Sequence, residues 1–314
     1  MSIISCQQRL FGTLDTGEAI TCYSLRNTSG MMVNLLNYGA TLQTIQIPDS
    51  RGAMHEITLG FNQLEDYTHS SQYPGATLAH LPPRYGNPFN QLHQAVWAAE
   101  NTTHADGASV EFTLKGTMDL RYPYDKTDYE FKVRYTLTTT DELIIHTHIQ
   151  TNPALPIFIT HHPVWNLGGI HAGDISDHVL QVWASHYSLR DDSNFLSYQK
   201  NEIENKTAFD FREPQRIGEK RAQLPSGSEY NVCFERDLGD NEKAKRALFA
   251  RVKAPVSGRT LEVYTTQPRL HFYLDIIAST QTLQGICLSP SPALQNQNTP
   301  ISQIEQESCY KLIW

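Results

Sequence analysis

Histidine changes protonation between about pH 5 and 8 without help from its surroundings, and this chain carries 13 histidines in 314 residues. Two of them, His161 and His162, are adjacent, so on a regular strand they face opposite sides of a sheet. One is then available to a ligand while the other enters the core. His146 and His148 are two apart and share a face, as a metal-chelating pair would, but no third ligand accompanies them, and two exposed strand histidines are the ordinary reading. Ser289 is not set in a G-x-S-x-G turn, and no phosphate-cradling glycine-rich loop occurs. Asp191 with Asp192, and Asp125 with Asp128, lack calcium-loop spacing and read as solvated turns. The five cysteines are scattered with no C-x-x-C, which predicts buried free thiols and neither a disulfide framework nor a zinc cluster. No metal and no organic cofactor is expected.

The elements that must hold these side chains are strands. Residues 129–137 alternate Tyr129, Phe131, Val133, Tyr135 and Leu137 with Glu130, Lys132, Arg134 and Thr136, the period of two of a half-buried strand. A polar turn at 138–142 leads into a second strand over 143–149, completing a hairpin. Short β-rich runs recur at 32–36, 42–47, 110–114, 157–160, 179–184, 247–252, 260–265 and 270–276, separated by Gly, Pro, Asn and Asp. Residues 241–246 read as a short charged helical turn, and 289–306, rich in Pro, Ser, Gln and Asn, as a surface loop. Many strands with few helices imply an all-β protein, a large antiparallel sandwich, spanning residues 1–314 as a single domain.

Charge and composition narrow the partners. The net charge is −8, from 25 basic and 33 acidic residues, with no sustained Lys/Arg cluster. Phosphate contacts need such a cluster, so neither nucleic acid nor an anionic membrane is an expected partner, and a neutral small molecule is. Residues 1–9 lack a basic segment followed by an apolar stretch, and no run is apolar for the ~18 residues of a membrane span. A cytoplasmic protein is expected, monomer or homodimer.

A series of motifs then gives a resemblance. Asn37-Tyr-Gly-Ala-Thr41 through Asp49 is followed by Leu59-Gly-Phe-Asn62 through Tyr67, Tyr73-Pro-Gly-Ala-Thr77, Leu92-His93 before Val96-Trp97, and Thr160-His-His-Pro-Val-Trp-Asn-Leu-Gly168. Asp174 through His178, Phe209-Asp-Phe-Arg212, Leu261 through Thr266 and Gly285-Ile-Cys-Leu288 complete the order. Together they cover roughly residues 11 to 300, and the chain resembles the aldose 1-epimerase (galactose mutarotase) family. The resemblance implies a galactose mutarotase-like β super-sandwich with a carbohydrate cleft on a concave face.

Exchanging sugar anomers requires opening the hemiacetal ring: a base takes the C1 hydroxyl proton while an acid protonates the ring oxygen. The resemblance implies His162 as the acid and His93 as a second catalytic-site histidine. Arg84, Asn231, His271 and Ser289 fall on substrate-holding or base positions. Several of these depart from the family pattern. Ser289 stands directly after Cys287-Leu288 where the family has its base glutamate, Asn231 stands for an aspartate, His271 for a glutamine and Pro83 for an asparagine, with His80 in place of an arginine. A serine hydroxyl is no base near neutral pH without a partner. Arg84 matches a sugar-contacting arginine in an altered turn; its alternative is a solvated surface arginine. The expected function is therefore carbohydrate binding with anomer interconversion by His162 and a base other than glutamate, most readily His271. A non-catalytic carbohydrate-binding or regulatory homologue, or a family member acting on a different substrate, is the alternative.

Overall fold

A computed structural model describes residues 4–49, 51–70, 73–81, 91–119, 126–189, 200–226, 228–236, 245–277, 282–292 and 301–314. Arg84, Pro83, Asp191, Asp192 and the 241–244 part of the expected helical turn lie outside these residues. The chain divides into two compact units: Met1–Pro48, Gly60–His162 and Gln295–Glu307 form one, and Asp49–Leu59, Pro163–Leu294 and Ser308–Trp314 the other.

The first unit is built on the alternation read at 129–137. Strand Lys126–Thr138 pairs antiparallel with Gly107–Asp119 on one side and Glu142–Leu155 on the other. Phe131, Val133, Tyr135 and Leu137 are buried, while on the opposite face Arg134 bonds Glu111 and both Lys115 and Lys132 reach Glu130. A second antiparallel sheet runs Ser5–Thr13, Ala19–Arg26, Met32–Leu36 and Thr41–Pro48. The two sheets meet where Tyr23 packs edge-on against Phe112 at 5.7 Å, and Phe112 packs in turn against Tyr135 of its own sheet at 6.1 Å. Buried Asn27 ties the sheets at their end, its Nδ2 donating to the Thr138 carbonyl and to Asp141 Oδ1.

The second unit contains a seven-stranded antiparallel sheet in the order Asn201–Glu202, His186–Leu189, Asn231–Glu235, Arg269–Ile277, Thr282–Ser291, Val164–Trp165 and Thr58–Leu59. Its two faces have opposite chemistry because alternate residues point to opposite sides. Val232, Phe234, Leu270, Phe272, Ile286 and Leu288 are buried on one face, where Phe272 meets Tyr230 at 4.8 Å and Phe211 at 5.8 Å. Asn231, Cys233, Glu235, Arg269, His271, Tyr273 and Ser289 share the other face by register. Another sheet of this unit runs Gln215–Arg216, Val179–Val182, Ala247–Lys253, Thr260–Thr265 and the end of Ile301–Ile313. Tyr310 joins the two, packing on Trp165 at 5.2 Å and donating its hydroxyl to the Leu288 carbonyl at 3.1 Å.

The all-β antiparallel class is as expected. The loop expected over 289–306 is not: strand Thr282–Ser291 carries through Ser289, and a further strand occupies Ile301–Ile313. The cysteines are free, four of them buried and Cys6 half-buried. Among the described residues no helix is long and apolar enough to cross a membrane.

Two buried histidines make stability depend on pH. Burial pushes His161 and His178 down to about 4 from the ordinary 6.5, so both are neutral in the folded protein near pH 7. The unfolded chain takes up these protons near pH 6.5 and the folded protein only near pH 4. Their contribution is complete above pH 6.5 and is lost as pH falls from there toward 4. Between pH 7 and pH 5 the unfolding free energy should fall by about 2 kcal/mol per histidine. His178 Nε2 has no hydrogen-bond partner among the described residues, so His178→Leu should remove one histidine's share of that fall. Urea titrations at the two pH values read this directly, and an unchanged difference in the variant would rule it out.

Candidate functional site

His161 ends strand Phe158–His161 and His162 follows it directly, the two facing opposite ways as their adjacency requires. His161 is in the core: its Nε2 lies 3.0 Å from Thr147 Oγ1 and its Nδ1 3.3 Å from Thr77 Oγ1, with the Tyr135 ring edge-on at 6.0 Å. It is the satisfied core histidine of the pair. His162 is half-buried on the other side, with Nε2 3.0 Å from Thr160 Oγ1. Its backbone is clamped by the Tyr73–Thr77 motif, for the Gly75 amide donates to the His162 carbonyl at 2.8 Å and the His162 amide to the Ala76 carbonyl at 3.3 Å. Gly75 has φ +71°, and a Cβ there would stand 1.9 Å from the Leu42 carbonyl oxygen. Only glycine lets the chain pass between Leu42 and His162.

The same segment reaches His93. The Tyr73 ring lies on the His93 ring with centroids 4.0 Å apart, two residues from the glycine that holds His162. His93 sits in a single 3₁₀ turn, Leu92–Gln94, fixed by the Asn37–Gly39 motif: Gly39 donates to the Ala95 carbonyl and Trp97 to the Asn37 carbonyl, both at 2.8 Å. Gly39 has φ +66°, and a Cβ would come within 2.4 Å of the His93 carbonyl oxygen. His93 is buried, its Nε2 has no hydrogen-bond partner among the described residues, and burial lowers its pKa. A buried polar nitrogen left open in this way calls for a partner from outside the described residues. Neutral at pH 7, it suits a hydrogen bond to a hydroxyl.

The second unit brings three other expected residues together. His271 is directly opposite Ser289 on the neighbouring strand. Its Nε2 lies 2.8 Å from Asn231 Oδ1. A carboxamide oxygen only accepts, so Nε2 carries the hydrogen and, in the neutral ring, Nδ1 is the basic nitrogen. Ser289 is fully buried and its Oγ has no hydrogen-bond partner among the described residues.

Sequence reasoning missed a neighbour on this face. Arg269, opposite Ser291 and two residues before His271, is 2% exposed, and its Nη2 lies 3.0 Å from Glu235 Oε1. Glu235 Oε1 also accepts from Ser188 Oγ at 2.5 Å. The signal begins one residue before the strand read at 270–276: Arg269, His271, Tyr273 and Asp275 alternate with apolar residues.

Other motif residues serve the scaffold. Asn166 Nδ2 donates to the Gly173 and Gln284 carbonyls at 3.0 Å, and Arg259 Nη1 to the Leu167 carbonyl at 3.1 Å. His146 and His148 do share a face, and each meets a carboxylate, Glu307 and Glu305 respectively, at 2.6 Å. Among the described residues no group of three or more His, Cys, Asp or Glu is placed to hold a metal.

Comparison with known proteins adds a family. Residues 21–306 match the family model described as Aldose 1-epimerase. The chain is 28% identical over 289 residues to the galactose mutarotase of Rattus norvegicus, covering 86% of this chain and 82% of the relative. It is 26% identical over 291 residues to the aldose 1-epimerase of Escherichia coli (strain K12), covering 82% and 79%. The solved galactose 1-epimerase from Lactobacillus acidophilus NCFM has the same fold, with a TM-score of 0.79 at 20% identity over 99% of each chain.

Proposed function

We infer the function of this chain from the premise that it belongs to the aldose 1-epimerase family: it binds a free sugar and interconverts its anomers by acid-base ring opening. The observation that carries the acid-base assignment is the His271–Asn231 contact at 2.8 Å, which leaves Nδ1 as the basic nitrogen of a histidine beside Ser289. His271 takes the C1 hydroxyl proton at Nδ1, the C1–O5 bond breaks, and His162 delivers a proton to the ring oxygen. With Thr160 Oγ1 accepting from His162 Nε2, the proton delivered is the one on Nδ1. The open-chain aldehyde turns about C1–C2 and the two transfers run in reverse, giving the other anomer. His93 holds a sugar hydroxyl through its open Nε2.

Ring opening needs no cofactor, because both proton transfers are within reach of imidazole near neutral pH. The test is the approach of freshly dissolved α-D-galactose to its anomeric equilibrium, followed by polarimetry. Micromolar protein should raise the rate clearly above buffer. A rate equal to buffer for D-galactose, D-glucose and their acidic derivatives would refute catalysis and leave sugar binding alone.

A further inference from the structure

We propose that the sugar handled by this protein carries an anionic substituent, a carboxylate or a phosphate, and that Arg269 with Ser289 receives that group. The proposal rests on the sugar-binding reading above and narrows it to a substrate class. Arg269 Nε, Nη1 and Nη2 are all buried without a hydrogen bond among the described residues. Its contact with Glu235 at 3.0 Å is close enough for ion pairing but is not aligned as a hydrogen bond. Glu235 divides its charge between Arg269 and Ser188 and is the more exposed partner, with 19% of its side chain accessible against 3% for Arg269. A guanidinium is a five-donor group that cannot shed its proton, and burying it without aligned acceptors is costly.

Ser289 Oγ is the second open group. It lies diagonally across the strand pair from Arg269, with the backbones about 7 Å apart and both side chains on the same face. An oxygen-rich anion between them gives the guanidinium its acceptors and Ser289 an acceptor for its hydroxyl. His271, opposite Ser289, then stands next to the bound group. Asp275, the other carboxylate on this strand face, is six residues along from Arg269, about 20 Å at the rise of a strand, and does not oppose an anion there. Guanidinium matches carboxylate and phosphate oxygens better than it matches a lone hydroxyl.

Calorimetric titration of the full chain with D-galacturonate, D-galactose 6-phosphate and D-galactose tests this. One acidic sugar should bind about 10–100-fold tighter than D-galactose, the strength of a charge-assisted hydrogen bond, and which acid wins separates carboxylate from phosphate. Arg269→Gln should remove that preference, and Arg269→Lys should restore part of it. Ser289→Asp, which places a carboxylate beside the site, should weaken the acids more than it weakens D-galactose, so the test survives if Arg269→Gln does not fold. Equal binding of acidic and neutral sugars, or a preference unchanged in folded Arg269 and Ser289 variants, overturns the proposal. Because binding is read without turnover, a protein that binds acids through Arg269 but exchanges no anomers would overturn the catalytic reading and leave this one standing.

Discussion

Replacing His162 by alanine is expected to lower kcat/KM for anomer exchange by about 10²–10⁴-fold, the usual contribution of a positioned acid, while leaving the fold intact. His162 is half-buried, and the contacts that hold its backbone, to Gly75 and Ala76, are main-chain bonds that alanine keeps. The neighbouring histidine behaves differently. His161 is enclosed by Thr147, Thr77 and Tyr135, so its loss strikes stability before activity. Thr160→Val keeps volume and removes the hydroxyl 3.0 Å from His162 Nε2; it should cost about 3–10-fold, one neutral hydrogen bond. Polarimetry on His162→Ala, Thr160→Val and wild type, with circular dichroism to confirm folding, separates an acid from a bystander. If folded His162→Ala matches wild type, His162 is not the acid.

The fold was legible in the sequence where one face of a strand meets water. Phe131 to Leu137 declare the hairpin because Glu130, Lys132 and Arg134 alternate with them. Strand Ile301–Ile313 was hidden because its first half is polar on both sides: Glu305 and Glu307 pair with His148 and His146 across the sheet, and Gln306 and Ser308 are buried. Hydrophobic periodicity cannot register a strand held by such pairs. Pro290 disguised the end of Thr282–Ser291 as a turn. It faces Leu270 on one side, while the strand on the other side, Val164–Trp165, pairs only as far as Cys287. The missing proline N–H therefore falls where no described strand asks for it.

The candidate site was legible in part for a different reason. Motif order supplied His93, His162, Asn231, His271 and Ser289, and the structure adds the local cause of each placement: Gly39 beside His93, Gly75 beside His162, strand register for the other three. Arg269, Glu235 and Ser188 escaped because their association depends on three strands that are distant in sequence, and no spacing along the chain encodes that pairing. Only the alternation within Arg269–Ile277 hinted that Arg269 shares a face with His271.

Removing the proposed base, His271, is expected to match removal of the proposed acid, His162. His271→Gln retains a donor for Asn231 but no titrating nitrogen, so kcat/KM should fall by about 10²–10⁴-fold. A loss of that size alone would also fit a residue that merely orders the sheet. The pH profile discriminates. A base acts only when unprotonated, so wild-type kcat/KM should fall on the acid side as His271 gains its proton. Asn231→Asp replaces the neutral acceptor 2.8 Å from Nε2 with a carboxylate, which favours the protonated ring. The acid limb should therefore move up, so that on the acid side of the original limb the variant is slower than wild type. Above the new limb its activity should recover, since imidazole is again neutral and better polarised. A structural role for His271 predicts no movement of the limb in Asn231→Asp, and that result would return the search for the base to the other histidines of the chain.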